Sequence, residues 1–406
     1  MNCKRSAPIL LLLAILPILS SCPSGPGGHE GKDSASVRNT DTTTLNFTAT
    51  AAPDWTALFN RDSGWFGGDG IFSIPLNGAD TASASDSTLF VFSDTMIGDI
   101  VDGKLKPGSS MVHNSVAYMK GIIPKKKDIR FYYAKDKKGH PESLFVPHTK
   151  SAKPGDYYWL GDGFVNTALN GNIYIFGYRM HNMSSHDWSF TQVGNVLIVL
   201  KADSRPPFKD QRQLETPFLL QGTGETDNGS LGAGIFVNTR SAGVPHPDGY
   251  VYVYGIKGKA KNLIVARVLP ADFEHFTKWR FWDGKSWNKN MHRAASLTGG
   301  VSGELSLSPL SGGRYALVFQ QGSMSNTVGL RIGLSPYGPF GPMIKLWDCK
   351  ESRHKNYFTY NAKAHPCLSK AGELLVSYNV NAFDFFHEIK ANPHLYRPRF
   401  IRLKFK

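Results

Sequence analysis

One hairpin is written five times along this chain, and that repetition limits the fold more than any single motif does. Asp69-Gly-Ile-Phe-Ser with Leu89-Phe-Val-Phe-Ser-Asp94 returns as Asp162-Gly-Phe-Val-Asn with Ile173-Tyr-Ile-Phe-Gly-Tyr178, and again as Gly234-Ile-Phe-Val-Asn with Val251-Tyr-Val-Tyr-Gly-Ile256. The fourth and fifth copies are Glu304-Leu-Ser-Leu-Ser with Tyr315-Ala-Leu-Val-Phe-Gln320, and His365-Pro-Cys-Leu-Ser with Leu374-Leu-Val-Ser-Tyr-Asn379. Short β-branched and aromatic runs between Gly, Asn, Asp and Pro turns read as strands. Further strand-like runs at 194–200, 262–268 and 329–334 follow three of the copies. A repeat that cannot cover its own apolar face must stack on a neighbour, so the pattern predicts an all-β, five-bladed β-propeller, with a two-sheet sandwich as the alternative. Residues 399–405 would finish the last blade, with Thr44–Phe47 as partner.

The chain opens differently. Lys4 and Arg5 precede an apolar run from Ala7 to Leu19, which reads as an export signal too short to span a bilayer with its flanks. It closes in Leu19-Ser-Ser-Cys22, which resembles a bacterial lipobox. That reading makes 1–21 a lipoprotein signal peptide, Cys22 the lipidated residue, 22–52 a flexible Gly/Ser/Pro/Asp/Thr tether and 53–406 the propeller domain. The alternative is an ordinary signal peptidase site. The lipobox implies a protein of the bacterial cell envelope, anchored to the outer membrane or cell surface. Of the 4 cysteines, Cys349 and Cys367 remain, as a disulfide or as two buried thiols. The net charge of +14 falls largely in loop runs such as Lys125–Lys127, which read as solvated surface. No nucleic-acid motif is present, zinc-type His or Cys spacing is missing, and a monomer without cofactor is expected. A structural calcium or sodium ion near His365 is left open.

The candidate site follows from where the repeats differ. In a propeller the first strand of each blade lines the shaft, so the residue opening it faces the mouth. Those openers are Asp69, Asp162, Glu304 and His365, and the strand ends beside them carry Asp94, Tyr178, Gln320 and Asn379. In the third copy Glu225 and Asp227 stand just upstream. Neighbouring strands lie about 4.8 Å apart, so hairpin pairing puts Asp69 and Asp94 on one rim. Convergent acids are costly for stability alone, and such clusters mark sites. Each has a plainer reading as well. Asp162, like any Asp before Gly, can brace a turn, Glu304 can be a solvated acid, and His113, Asn114 and His365 can be satisfied core residues. Trp65, Trp159, Tyr178, Trp188 and the cluster from Trp279 to Trp287 are candidate sugar platforms or core packing.

Gly67-Gly68-Asp69-Gly70, Phe92-Ser93-Asp94-Thr95, Ser335-Pro-Tyr-Gly-Pro-Phe and Ala364-His365-Pro together resemble five-bladed propeller glycosidases. They are most similar to secreted bacterial domains long carried as of unknown function, from which an endo-D-arabinanase family was drawn. The resemblance implies a glycoside hydrolase acting on an extracellular, arabinan-like polysaccharide, with Asp69 and Asp94 as leading pair and Asp162 and Glu304 as helpers. A non-catalytic glycan-binding lipoprotein is the alternative. Glycoside hydrolysis needs one protonated and one ionised carboxyl. The assignment at this level is Asp69 as base or nucleophile and Asp94 as acid, with Glu304 the alternative acid.

Overall fold

The five repeats fold as antiparallel sheets laid out in chain order. The computed structural model describes residues 39–184, 188–222 and 228–406. The first sheet runs Phe72–Pro75, Ser87–Phe92, Ser115–Lys120 and Ile129–Tyr132. The predicted hairpin is its start, with Phe72 opposite Val91 and Ile74 opposite Leu89. The second sheet runs Tyr157–Asn166, Asn172–Asn182, Phe190–Leu200 and Arg212–Glu215. The third has Gly229–Asn238, Tyr250–Lys257 and Asn262–Val268 at its centre, and the fourth runs Leu305–Leu310, Arg314–Gln320, Thr327–Gly333 and Ile344–Asp348. The fifth orders Tyr357–Ala364, Glu373–Ala382, Arg399–Phe405 and Phe47–Ala51. Strand Phe47–Ala51, expected in the tether, thus belongs to the folded body, where it pairs Phe47 with Phe405 and Ala51 with Ile401.

Each sheet's first strand packs against the first strand of the next. The fifth sheet returns to the first where Ser73 Oγ meets His365 Nδ1 at 2.8 Å. The arrangement is propeller-like, and the apolar layers explain it. Alternate residues of the second sheet's middle strand go opposite ways: Ile173 and Ile175 join Phe72, Leu89 and Val91 of the first sheet, whereas Tyr174 and Phe176 join Val251 and Val253 of the third. Equivalent layers fill the gaps between third and fourth, fourth and fifth, and fifth and first sheets. A two-sheet sandwich would bury one such layer. Strands covered on both faces read as continuous apolar runs, as they do here. Each fully buried large side chain contributes about 1.5–3 kcal/mol.

The second, third and fifth inner strands share an irregularity that the repeats do not spell out. Their pairing slips between Leu160 and Gly163, Leu231 and Gly234, and Tyr360 and Lys363. These strands therefore begin well before the repeated motif. His365 follows the end of its strand, at the start of the turn Pro366–Leu368, instead of opening it.

Cys349 and Cys367 are both free and buried, in different apolar layers, which overturns the disulfide reading. Among the described residues no helix is long and apolar enough to cross a membrane. The signal peptide, Cys22, Glu225 and Asp227 lie outside the described residues.

Candidate functional site

Hairpin pairing carries Asp69 and Asp94 to one place. Asp69 N donates to Asp94 O at 3.2 Å, and Ser93 N donates to Asp69 O at 2.9 Å. Their carboxyls then meet different partners. Asp69 Oδ2 accepts from the Tyr360 hydroxyl at 2.6 Å, and Asn381 Nδ2 lies 3.3 Å from that hydroxyl. Asp94 Oδ1 accepts from Trp159 Nε1 at 3.0 Å and lies 2.9 Å from His113 Nδ1. The His113 ring stacks on Tyr157, centroids 3.8 Å apart. Burial, and then the charge of Asp94, push the Asp69 carboxyl up to about 8, against the pull of the Tyr360 hydroxyl. One carboxyl of the pair is thus raised by burial, and the other accepts the Trp159 N–H beside the His113 ring. His113 and Trp159 are half-exposed.

The other predicted acids end in a closed network. Glu304 is buried, accepts from Asn361 Nδ2 at 2.7 Å and forms an ion pair with Lys363. Lys363 is itself buried, its ammonium 4.4 Å from the centre of the Phe72 ring. Both partners come from the irregular stretch of the fifth inner strand, where Asn361 has φ 59°. Burial raises the Glu304 carboxyl, while Lys363 pulls it back. Asp162 accepts from Gly163 N at 2.8 Å and Ile235 N at 2.7 Å, bracing the second sheet to the third. Burial still lifts it to about 7. Asp80 accepts from Cys367 N at 3.2 Å and is lifted to about 6 by burial. Asp80, Asp162, Lys363, Ser73 and Ser306 line a cavity of about 50 Å³ between the inner strands.

Several predicted contacts are interior. His365 Nδ1 meets Ser73 Oγ, and its Nε2 lies 2.7 Å from Ser377 Oγ. Burial drives this imidazole down to about 3, so it is neutral, fully enclosed and unable to reach a ligand. Asn114 is a clamp: its Nδ2 donates to Phe145 O and Tyr158 O, and its Oδ1 accepts from Phe145 N. Asn379 is buried, with Nδ2 3.5 Å from Gly68 O. Trp65 is 1% exposed and stacks on Phe131 at 4.4 Å, so no sugar face can reach it. Trp279 is equally buried, against Phe218, while Trp287 is covered by Arg267. Tyr178, half-buried near Glu304 and Asp162, has its hydroxyl held neutral by burial and by those charges.

Tyr360, Lys363, Asn361 and Asp80 carry the cluster and escape the repeat reading. The signal that could have found the first three is the slip between Tyr360 and Lys363, which recurs at Leu160/Gly163 and Leu231/Gly234. Among the described residues no three His, Cys, Asp or Glu side chains gather to hold a metal ion. Both His365 nitrogens are already engaged by hydroxyls.

Among solved structures, a Bacteroides ovatus protein described as a "putative hydrolase" is similar over 90% of this chain and 97% of its own, with TM-score 0.66 and 17% identity. That likeness is one of fold. A Xanthomonas citri GH43_1 enzyme complexed with xylotriose gives TM-score 0.38 and 15% identity over 87% of this chain and 92% of its own. An exo-β-1,3-galactanase from Phanerochaete chrysosporium gives 0.43 and 9% over 84% and 60%. At these scores neither bears on the activity of this chain. No curated protein matches the chain. The family model described as "Domain of unknown function (DUF5005)" matches residues 53–405, and the chain belongs to that family.

Proposed function

We propose that this chain is a glycoside hydrolase on a five-bladed β-propeller, cleaving an extracellular, arabinan-like polysaccharide with Asp69 and Asp94. One observation carries the reading: two carboxyls on adjoining strand ends, one lifted toward neutrality and the other receiving the Trp159 N–H beside His113. This division reverses the roles expected from the sequence. Asp69 is the acid, giving its proton to the glycosidic oxygen as the bond to the leaving sugar breaks. Asp94 is the ionised partner, either attacking the anomeric carbon or taking a proton from the water that does. Asp69, left as a carboxylate after the first route, then accepts the proton of the incoming water. The Tyr360 hydroxyl orients Asp69, and the Trp159 N–H orients Asp94. Glu304, bound to Lys363 and Asn361, supports the inner strands and takes no part in proton transfer. Anchoring through Cys22 would hold this site at the bacterial envelope.

The test is release of reducing sugar from arabinan, galactan and xylan by the purified protein, with anomer-resolved NMR of the product to separate the two routes for Asp94. The wild-type protein cleaves one of these polymers, and Asp69→Asn and Asp94→Asn abolish cleavage while leaving the fold intact. Binding without release would make the protein a glycan-holding lipoprotein instead.

A further inference from the structure

We infer that Trp188 and Phe383 form an outer platform for several units of an uncharged saccharide chain leading away from Asp69 and Asp94; the inference rests on the glycan reading of that site. The second sheet's strands Asn172–Asn182 and Phe190–Leu200 are each 11 residues long, and Trp188 sits in their connection. From there it reaches the fifth sheet. Trp188 Nε1 donates to Phe383 O at 3.4 Å, and its ring centroid lies 5.8 Å from Phe358. Aromatic side chains thus make a continuous arc. Trp159 to Phe190 is 4.7 Å, Phe190 to Trp188 6.4 Å, and Phe358 to Tyr360 5.3 Å. The arc begins at the Trp159 N–H on Asp94 and ends at the Tyr360 hydroxyl on Asp69.

Its outer members are bare. Trp188 is 51% exposed, Phe383 59% and Met324, whose backbone bridges to Tyr360, 57%. Large apolar side chains left in water as a group mark a surface that something covers. Continuity with two carboxylates, and the hydrogen-bonding groups of His113 and Asn381 beside them, suit a sugar better than a protein face. A sugar offers a C–H face to an aromatic ring and hydroxyls to its flanks. Charge narrows the class further. Among the described residues no cationic side chain belongs to the arc, and Lys363 is committed to Glu304. Asp94, the ionised partner of the proposed pair, repels anions, so acidic glycans are disfavoured here despite the net charge of +14.

The test measures binding to the Asp94→Asn protein, which removes turnover, by calorimetry. The probes are arabino-, xylo- and galacto-oligosaccharides of two and of six units, with hexameric oligogalacturonate as the acidic probe. A neutral hexasaccharide binds more tightly than its disaccharide. Adding Trp188→Ala weakens the hexasaccharide about ten-fold and leaves the disaccharide unchanged, and Trp188→Phe restores most of the loss. Equal losses at both lengths, tighter binding of oligogalacturonate, failure of every neutral hexasaccharide to bind, or a dimer in sedimentation that Trp188→Ala dissolves would overturn the platform. If the length dependence holds but the wild-type protein releases no sugar, the platform stands and the hydrolase reading falls.

Discussion

Asp69 and Glu304 are the same chemistry in two settings, and the settings assign them opposite duties. Glu304 is enclosed with its oxygens committed to Asn361 and Lys363. Asp69 is half-buried, meets a neutral hydroxyl and faces the like charge of Asp94. Asp162 sides with Glu304, because two backbone N–H groups consume its oxygens. The difference teaches that opening an inner strand does not make an acid functional. What matters is whether its bonding capacity is already spent inside the protein.

The largest effect that could break this comparison is catalytic. Asp69→Asn and Asp94→Asn are each expected to lower kcat/KM by about a thousand-fold or more, with Tm little changed. Glu304→Gln should do the reverse, costing about 3–5 kcal/mol in denaturant unfolding because Lys363 is left buried without its counter-charge. The double variant Glu304→Gln/Lys363→Met should recover most of that loss. Activity lost by Glu304→Gln at full stability would place Glu304 in the chemistry and dissolve the contrast.

Titration sharpens it next. His365 is driven down to about 3, so the unfolded chain takes up a proton that the folded one refuses. Its stabilising contribution is present above pH about 6.5 and is lost as pH falls toward 3. Asp69 has the opposite sign. Lifted to about 8, it keeps a proton in the folded state that the unfolded chain has released, so its contribution weakens as pH rises from about 4 to 8. Urea melts across pH should show both slopes, and Asp69→Asn should remove only the second. The smallest expected effect is that of Tyr360→Phe. Losing the hydroxyl that holds Asp69 down should move the alkaline limb of activity upward by roughly half a pH unit.

The sheets were legible because their strands are covered on both faces and so spell long apolar runs, as in Ile173–Phe176 and Val251–Tyr254. The Asp69/Asp94 pairing was legible for the same reason, since the hairpin register fixes which strand ends meet. The fifth inner strand was not. Its slip between Tyr360 and Lys363 breaks the alternation, and the repeat pattern picked out His365 and passed over Tyr360, Asn361 and Lys363. Nor could sequence tell which acid would be lifted. That depends on burial and on the charge of Asp94, set against the downward pull of Tyr360 from a strand nearly three hundred residues away. Trp65 misled through its nearness to Asp69, since alternation along Ser63–Gly68 sends it into the layer with Phe92 and Phe131.

The most direct measurement is the pH dependence of kcat/KM for the wild-type protein on the polymer that the proposal expects it to cleave. An alkaline limb near pH 8, rising in Tyr360→Phe and absent with all activity in Asp69→Asn, is the predicted result. Rates that stay level well beyond pH 8, or an Asp69→Asn protein that cleaves at the wild-type rate, would contradict the assignment of Asp69 as the acid.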